Sequence, residues 1–413
     1  AKLPVMFFIH GGSFVSGSGS EFDGSRLAFT QNVIVVAINY RLGPLGFLTI
    51  SNTGTGGLNG VSDQALALKW AHDMIGSFGG DPNAVTVFGE SAGSLSTCML
   101  VVSPLAKGLM QRAILESGAC TSIMWGPETN ASRSYEFTKS LVQGLGASTV
   151  DDLKDKAKYP PSDFIWPKGI SKSKPRASTV DYGRVLPDTP RVRYTAGDLN
   201  VQQLIAGANT YDGLGPWLYA AMPSMYGNNS AAFSYIAEYM GGNQQKLAQE
   251  YDYTKYHWSY TDAAVQLEGD SNVLCPTKDL VAMAARHLPN SVYMYLFGHL
   301  SAMDVAVYVG LATVGVTNDT WASHTAELPF VFNVDTVFTP QETALANDIQ
   351  NYWGSFARSG APSGTVVWPP ITVPSGAPAQ PAPVQAIQFL KTGGVRTLES
   401  YHDGQCAAFE RHW

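Results

Sequence analysis

No run in this sequence approaches the ~20 consecutive apolar residues that a membrane-spanning helix needs, so no transmembrane segment is expected. Charge is sparse as well. Only 14% of the 413 residues are Asp, Glu, Lys or Arg, the net charge is -7, and the basic residues are scattered. Nothing of that kind grips a phosphate backbone or an anionic membrane surface, and nucleic acid is excluded as an expected partner. Cysteine is scarce: Cys98, Cys120, Cys275 and Cys406 are too few for a disulfide-built scaffold and lack the close paired spacing of a zinc site. No metal is expected. There is also no Gly/Ser linker or block of like charge to divide the chain, and one domain over residues 1–413 is the expectation.

What the chain does have is apolar residues, at 45%, enough for a large core. The runs at 3–9, 32–40, 84–88, 112–115, 203–206 and 291–296 are short, nearly unbroken and rich in β-branched residues. Such runs suit parallel strands covered on both faces. Between the second and third, Asp63 to Phe78 carries Ala65, Leu68, Trp70, Met74 and Ile75 at helical spacing. Strands alternating with helices imply right-handed crossovers, a doubly wound α/β sheet and sites beyond the carboxyl ends of its strands. The stretches 125–193 and 217–273 are irregular and rich in aromatic residues, Pro and Gly, and read as excursions that shape a substrate gorge. Pro362 to Pro383 reads as surface loop.

Gly89-Glu90-Ser91-Ala92-Gly93 follows an apolar strand and precedes a helix-competent run. That placement marks a nucleophile elbow, in which small neighbours let a strained serine present its hydroxyl. His10-Gly11-Gly12-Ser13-Phe14, at the end of the first strand, can aim backbone N–H groups at a developing oxyanion. Each such donor is worth about 3–4 kcal/mol to the transition state. His10 itself is read as an anchor for this loop. A base must follow the nucleophile and acid in chain order; His257, His287, His299, His324, His402 and His412 all satisfy order, and His299 is favoured by its spacing after a strand. For the acid, Asp212 lies in a Gly-rich turn just beyond the strand ending at Ala206, although Asp-Gly is equally a turn pair.

The order of motifs resembles the type-B carboxylesterase/lipase family, which includes cholinesterases, carboxylesterases, fungal lipases and inactive adhesion proteins. The motifs are Leu3-Pro4-Val5-Met6 leading into His10-Gly11-Gly12, Asn39-Tyr40-Arg41, Phe78-Gly79-Gly80-Asp81-Pro82, the Ser91 elbow, Glu116-Ser117-Gly118, and His324-Thr325-Ala326-Glu327-Leu328-Pro329-Phe330. The resemblance implies the α/β-hydrolase fold and hydrolysis of a small-molecule or lipid ester without a cofactor, by Ser91, His324 and Asp212, the last where the family has Glu. It implies oxyanion donors at Gly12, Ser13 and Ala92, with Ser13 replacing a glycine. It further implies substrate-lining Trp125 and Phe14, supporting Glu90 and Glu327, and Thr325 in a slot usually held by Gly. The family carries further N-terminal strands, so this chain is expected to lack them and leave a sheet edge unpaired. Cys275 and Cys406 are available to bridge in an oxidising compartment. Sequons at Asn130, Asn228 and Asn318 lean toward a secreted glycoprotein.

Overall fold

A computed structural model describes residues 2–51, 56–122, 131–164, 184–213, 234, 243–256, 260–299, 322–334, 338–373, 385–390 and 394–409. Its centre is an eight-stranded sheet in the order β2-β1-β3-β4-β5-β6-β7-β8. The strands are β1 (Leu3–Ile9), β2 (Ile34–Ile38), β3 (Gly80–Glu90), β4 (Arg112–Glu116), β5 (Gln203–Asn209), β6 (Val292–Phe297), β7 (Ala386–Leu390) and β8 (Gly394–Leu398). All neighbours run parallel except β7 and β8. Both faces are covered, which explains the unbroken apolar runs. In β1, Val5, Phe7 and Ile9 enter one core cluster, while Met6 and Phe8 enter the other. Truncating a ring as buried as Phe7 or Phe8 to Ala costs about 3–5 kcal/mol.

The six expected strands are present, and the run at 84–88 is the inner part of a longer β3. Two expectations need correction. The helix spans Asn59–Met74 and continues as a short 3-10 turn, but of the expected positions only Ala65, Leu68 and Ile75 face the core, joined there by Val61 and Ala71. Trp70 and Met74 instead join Leu66 and Phe78 in an outward stripe at four-residue spacing. Within the supposed surface loop at 362–383, Trp368 and Ile371 are buried: the Trp368 indole donates to the Met294 carbonyl at 3.1 Å, and the Ile371 N–H to that of Val292 at 2.7 Å. The four cysteines form two disulfides, Cys98–Cys120 and Cys275–Cys406, stapling a core that already exists.

A long helix, Pro340–Ser359, buries Tyr352, Trp353 and Phe356 beneath the sheet. A capping box between Thr339 and Glu342 starts it, and Gly360 in the left-handed region ends it. Strand register brings Ile9, Gly89–Glu90, Glu116 and Gly207 to one rim. There the chain changes from strand to loop or helix, and there the chemistry-bearing residues gather. Among the described residues, no helix is long and apolar enough to cross a membrane.

Candidate active site

β3 ends at Glu90, Ser91 turns at φ 56° and ψ −122°, and the helix Ala92–Val102 begins at once. A non-glycine residue in that region is strained and persists only where its surroundings fix it. Here they do. The Ser91 N–H donates to the Glu116 carbonyl at 2.9 Å, and the Leu95 N–H to that of Ser91 at 2.9 Å. Glycine at 93 is obligatory, because a Cβ there would collide with the Ile9 carbonyl oxygen.

The loop after β1 lies against this elbow: a Cβ on Gly11 would sit 3.2 Å from that of Ser91. Gly12, Ser13 and Phe14 take φ of 99°, 56° and 62°, three successive left-handed residues of which two carry side chains. His10 anchors the loop as expected. Its ring stacks on Tyr40 at 4.4 Å, its Nδ1 is 2.9 Å from the Gly11 carbonyl, and the Tyr40 hydroxyl donates to the His10 carbonyl at 2.9 Å. Burial lowers the His10 pKa, favouring the neutral ring. Phe14 is buried against Phe47, with centroids 4.7 Å apart. Trp125 lies outside the described residues, as do the sequon asparagines Asn130, Asn228 and Asn318.

Asp212 and His324, 112 positions apart, meet directly: Nδ1 of the imidazole is 2.7 Å from Oδ1 of the carboxylate. The loop carrying His324 is fastened to the end of β5 by a bridge between Tyr211 and Ser323, by the Tyr211 N–H donating to the Ala322 carbonyl at 2.8 Å, and by the Asn209 amide donating to the Ser323 carbonyl at 2.6 Å. Thr325 keeps the turn that its family slot gives to glycine, at φ 75°. The other ring nitrogen, Nε2, lies 3.2 Å from Oε1 of Glu90, the residue immediately before Ser91. His299 is elsewhere. It is fully buried and bonded through Nε2 to Glu342 at 2.9 Å, inside the capping box.

A model of the Carboxylesterase family matches residues 1–393. The chain belongs to the carboxylesterase family. Its α/β-hydrolase fold is that of the family. Similar proteins include an acetylcholinesterase of Bungarus fasciatus, 32% identical across 99% of this chain and 69% of that protein. Carboxylesterase 5A of Felis catus is 32% identical across 95% of this chain and 71% of its own length. Neuroligin-2 of Homo sapiens is 30% identical across 88% of this chain, which spans 45% of it.

In this carboxylesterase-family chain, a second layer of polar groups surrounds the Asp212–His324 pair, and much of it was not singled out from sequence. Asn209 is the hub. Its backbone N–H donates to Oδ2 of Asp212 at 2.7 Å, and its side chain donates to Glu327 at 2.5 Å. The Ser117 hydroxyl also donates to Glu327, at 3.4 Å, and the Trp353 indole to Glu116 at 2.6 Å. The signals available were the Asn three residues before the acid and the Ser after Glu116. Burial, helped by Glu327, pushes Glu116 up to about 8; burial and Asp212 push Glu327 up to about 7, against the Asn209 hydrogen bond. Burial likewise holds Glu90 well above the usual carboxylate range. For His324, burial disfavours the charged ring, but Glu90 and the Asp212 hydrogen bond outweigh it and raise the pKa to about 9.

Proposed function

We propose that this chain is a serine carboxylic-ester hydrolase working through an acyl-enzyme, with Ser91 as nucleophile, His324 as base and Asp212 as the acid that orients it. The observation that carries the reading is the 2.7 Å contact between Asp212 and Nδ1 of His324. It holds Nδ1 against the carboxylate and leaves Nε2, 3.2 Å from Oε1 of Glu90, on the side of the ring toward the Ser91 elbow, where it exchanges the proton.

In the first half-reaction the Ser91 hydroxyl attacks the ester carbonyl carbon while its proton passes to His324. The oxyanion accepts hydrogen bonds from the backbone N–H groups of Gly12, Ser13 and Ala92. The tetrahedral species collapses, the C–O bond to the alcohol breaks, and the alcohol leaves with the proton from His324. Water then gives a proton to His324 as it attacks the acyl carbon, and collapse releases the carboxylic acid and returns the proton to Ser91. Glu90 and Glu327 hold their places beside the imidazole and transfer no proton. The residues act within one α/β-hydrolase domain, and the two disulfides favour an oxidising, extracytoplasmic setting.

The decisive measurement is turnover of p-nitrophenyl butyrate by wild type and S91A, with kcat expected to fall about 10⁶-fold. Wild-type rates from S91A overturn the assignment. A panel from acetate to palmitate separates a carboxylesterase from a lipase or sterol esterase. The intact Ser91, His324 and Asp212 set weighs against the family's inactive adhesion role.

A further inference from the structure

The helix Ala92–Val102 carries the first backbone N–H after the nucleophile, and its local chemistry does not favour a rigid start. Ser91 is held in a strained region, and the Ser96 and Thr97 hydroxyls turn back onto the carbonyls of Ala92 and Gly93 at 2.8 and 2.9 Å. Back-bonding of this kind slightly destabilises and bends a helix. Something outside the helix has to define its first two turns.

The loop after β4 does so along one face. Ser94 and Cys98, four residues apart, present neighbouring side chains on that face. The Ser94 hydroxyl donates to the Gly118 carbonyl at 2.6 Å, and Cys98 is bonded to Cys120, whose N–H also points at Cys98 Sγ at 3.1 Å. Gly118 is pressed so closely on the elbow that a Cβ there would lie 2.7 Å from the Ser91 carbonyl oxygen. The same loop reaches the other half of the site, because the Ser117 hydroxyl donates to Glu327, three residues beyond His324. Both sulfurs are buried.

From this placement we infer that the Cys98–Cys120 bridge is a positioning element for catalysis: it locks the nucleophile helix to the loop that also steadies the histidine side, fixing Ser91 and the Ala92 N–H relative to His324. The Cys275–Cys406 bridge joins cysteines 131 residues apart, neither of them in the helix Ala92–Val102, and among the described residues meets the Cys120 loop only as far as the Thr121 hydroxyl donating to the Pro276 carbonyl at 3.4 Å, so it serves as the internal control. The inference rests on the ester-hydrolase reading for its kinetic consequence alone.

The test compares C98S/C120S, the packing-matched C98V/C120A and C275S/C406S as full chains, with p-nitrophenyl butyrate kinetics, fluorophosphonate labelling of Ser91, and amide hydrogen exchange. For both variants of the first bridge, kcat and the labelling rate should fall about ten- to a hundredfold with KM within about twofold, the size expected from a small misplacement of reacting groups. The control should keep kcat within about twofold. Exchange at residues 91–95 should rise in the first pair and not in the control. A first-bridge variant that loses thermal stability but keeps kcat and exchange overturns the inference. If wild type hydrolyses no ester, the functional reading fails, and the exchange comparison alone decides the role of the bridge.

Discussion

His324 and His299 present the same chemical pair in two regions of the molecule: an imidazole within 2.9 Å of a buried carboxylate oxygen. The difference lies in what the rest of each pair touches. Glu342 also accepts from the Thr339 N–H and hydroxyl at 2.8 Å each, and His299 is only 1% exposed, so this pair completes a helix terminus sealed from substrate. Asp212 takes its second hydrogen bond from the chain that leads to it, while the 13%-exposed His324 turns its other nitrogen toward Glu90, beside Ser91. A third pair, His402 with Asp270 at 2.7 Å, is also committed, since Asp270 accepts from Tyr251 and Gln266. An imidazole–carboxylate contact is therefore no mark of catalysis by itself; what sets His324 apart is that its other ring nitrogen lies against Glu90, the residue beside Ser91.

The sharpest way to break this comparison is to delete each ring. H324A should lower kcat for p-nitrophenyl butyrate by about 10⁶-fold. H299L should leave kcat of the folded protein near wild type but lower stability by about 3–5 kcal/mol in urea titrations, because Glu342 is left buried without its partner. Folded H299L that has lost turnover, beside an active H324A, would exchange the two roles.

The next effect is a pH dependence arising from the carboxylate cluster around His324. Glu327 and Glu116 are raised from 4.5 to about 7 and about 8, and His324 from 6.5 to about 9. Groups raised on folding stabilise the native state below their unfolded pKa and lose that contribution as pH climbs through the folded value. Thermal stability should thus decline between pH 5 and 9, and E116Q should flatten the upper part of the decline. A melting temperature independent of pH over this range contradicts the proton-holding cluster. The smallest effect is at Thr325. Substitution T325G should raise stability by about 1 kcal/mol, read from the urea midpoint, because a β-branched residue at φ 75° is strained where glycine is not.

The parallel strands were legible because burial on both faces demands continuous apolar residues, and the elbow because its glycines bracket a strand-to-helix turn. His324 was legible only through the motif that begins with it, since chain order and spacing pointed as readily to His299. The outward turn of Trp70 and Met74 was hidden, because helical spacing admits more than one apolar stripe and does not say which faces the sheet. β7 and β8 were hidden by shortness and by the Pro-rich stretch before them, where Trp368 enters the core by packing on Tyr293, Tyr352, Trp353 and Phe389 rather than through a periodic pattern. The Cys98–Cys120 bridge and the hub at Asn209 depend on contacts between segments that sequence spacing does not reveal.

One asparagine, at position 209, spends its main-chain hydrogen on Asp212 and its side-chain amide on both Glu327 and the Ser323 carbonyl beside His324. Energies assigned to positions 209, 212 and 327 by changing them one at a time will therefore not sum to the energy lost when all are changed. The arrangement behaves as a single keystone, and another carboxylate at position 212 is accommodated only to the extent that the main-chain N–H of Asn209 still reaches it.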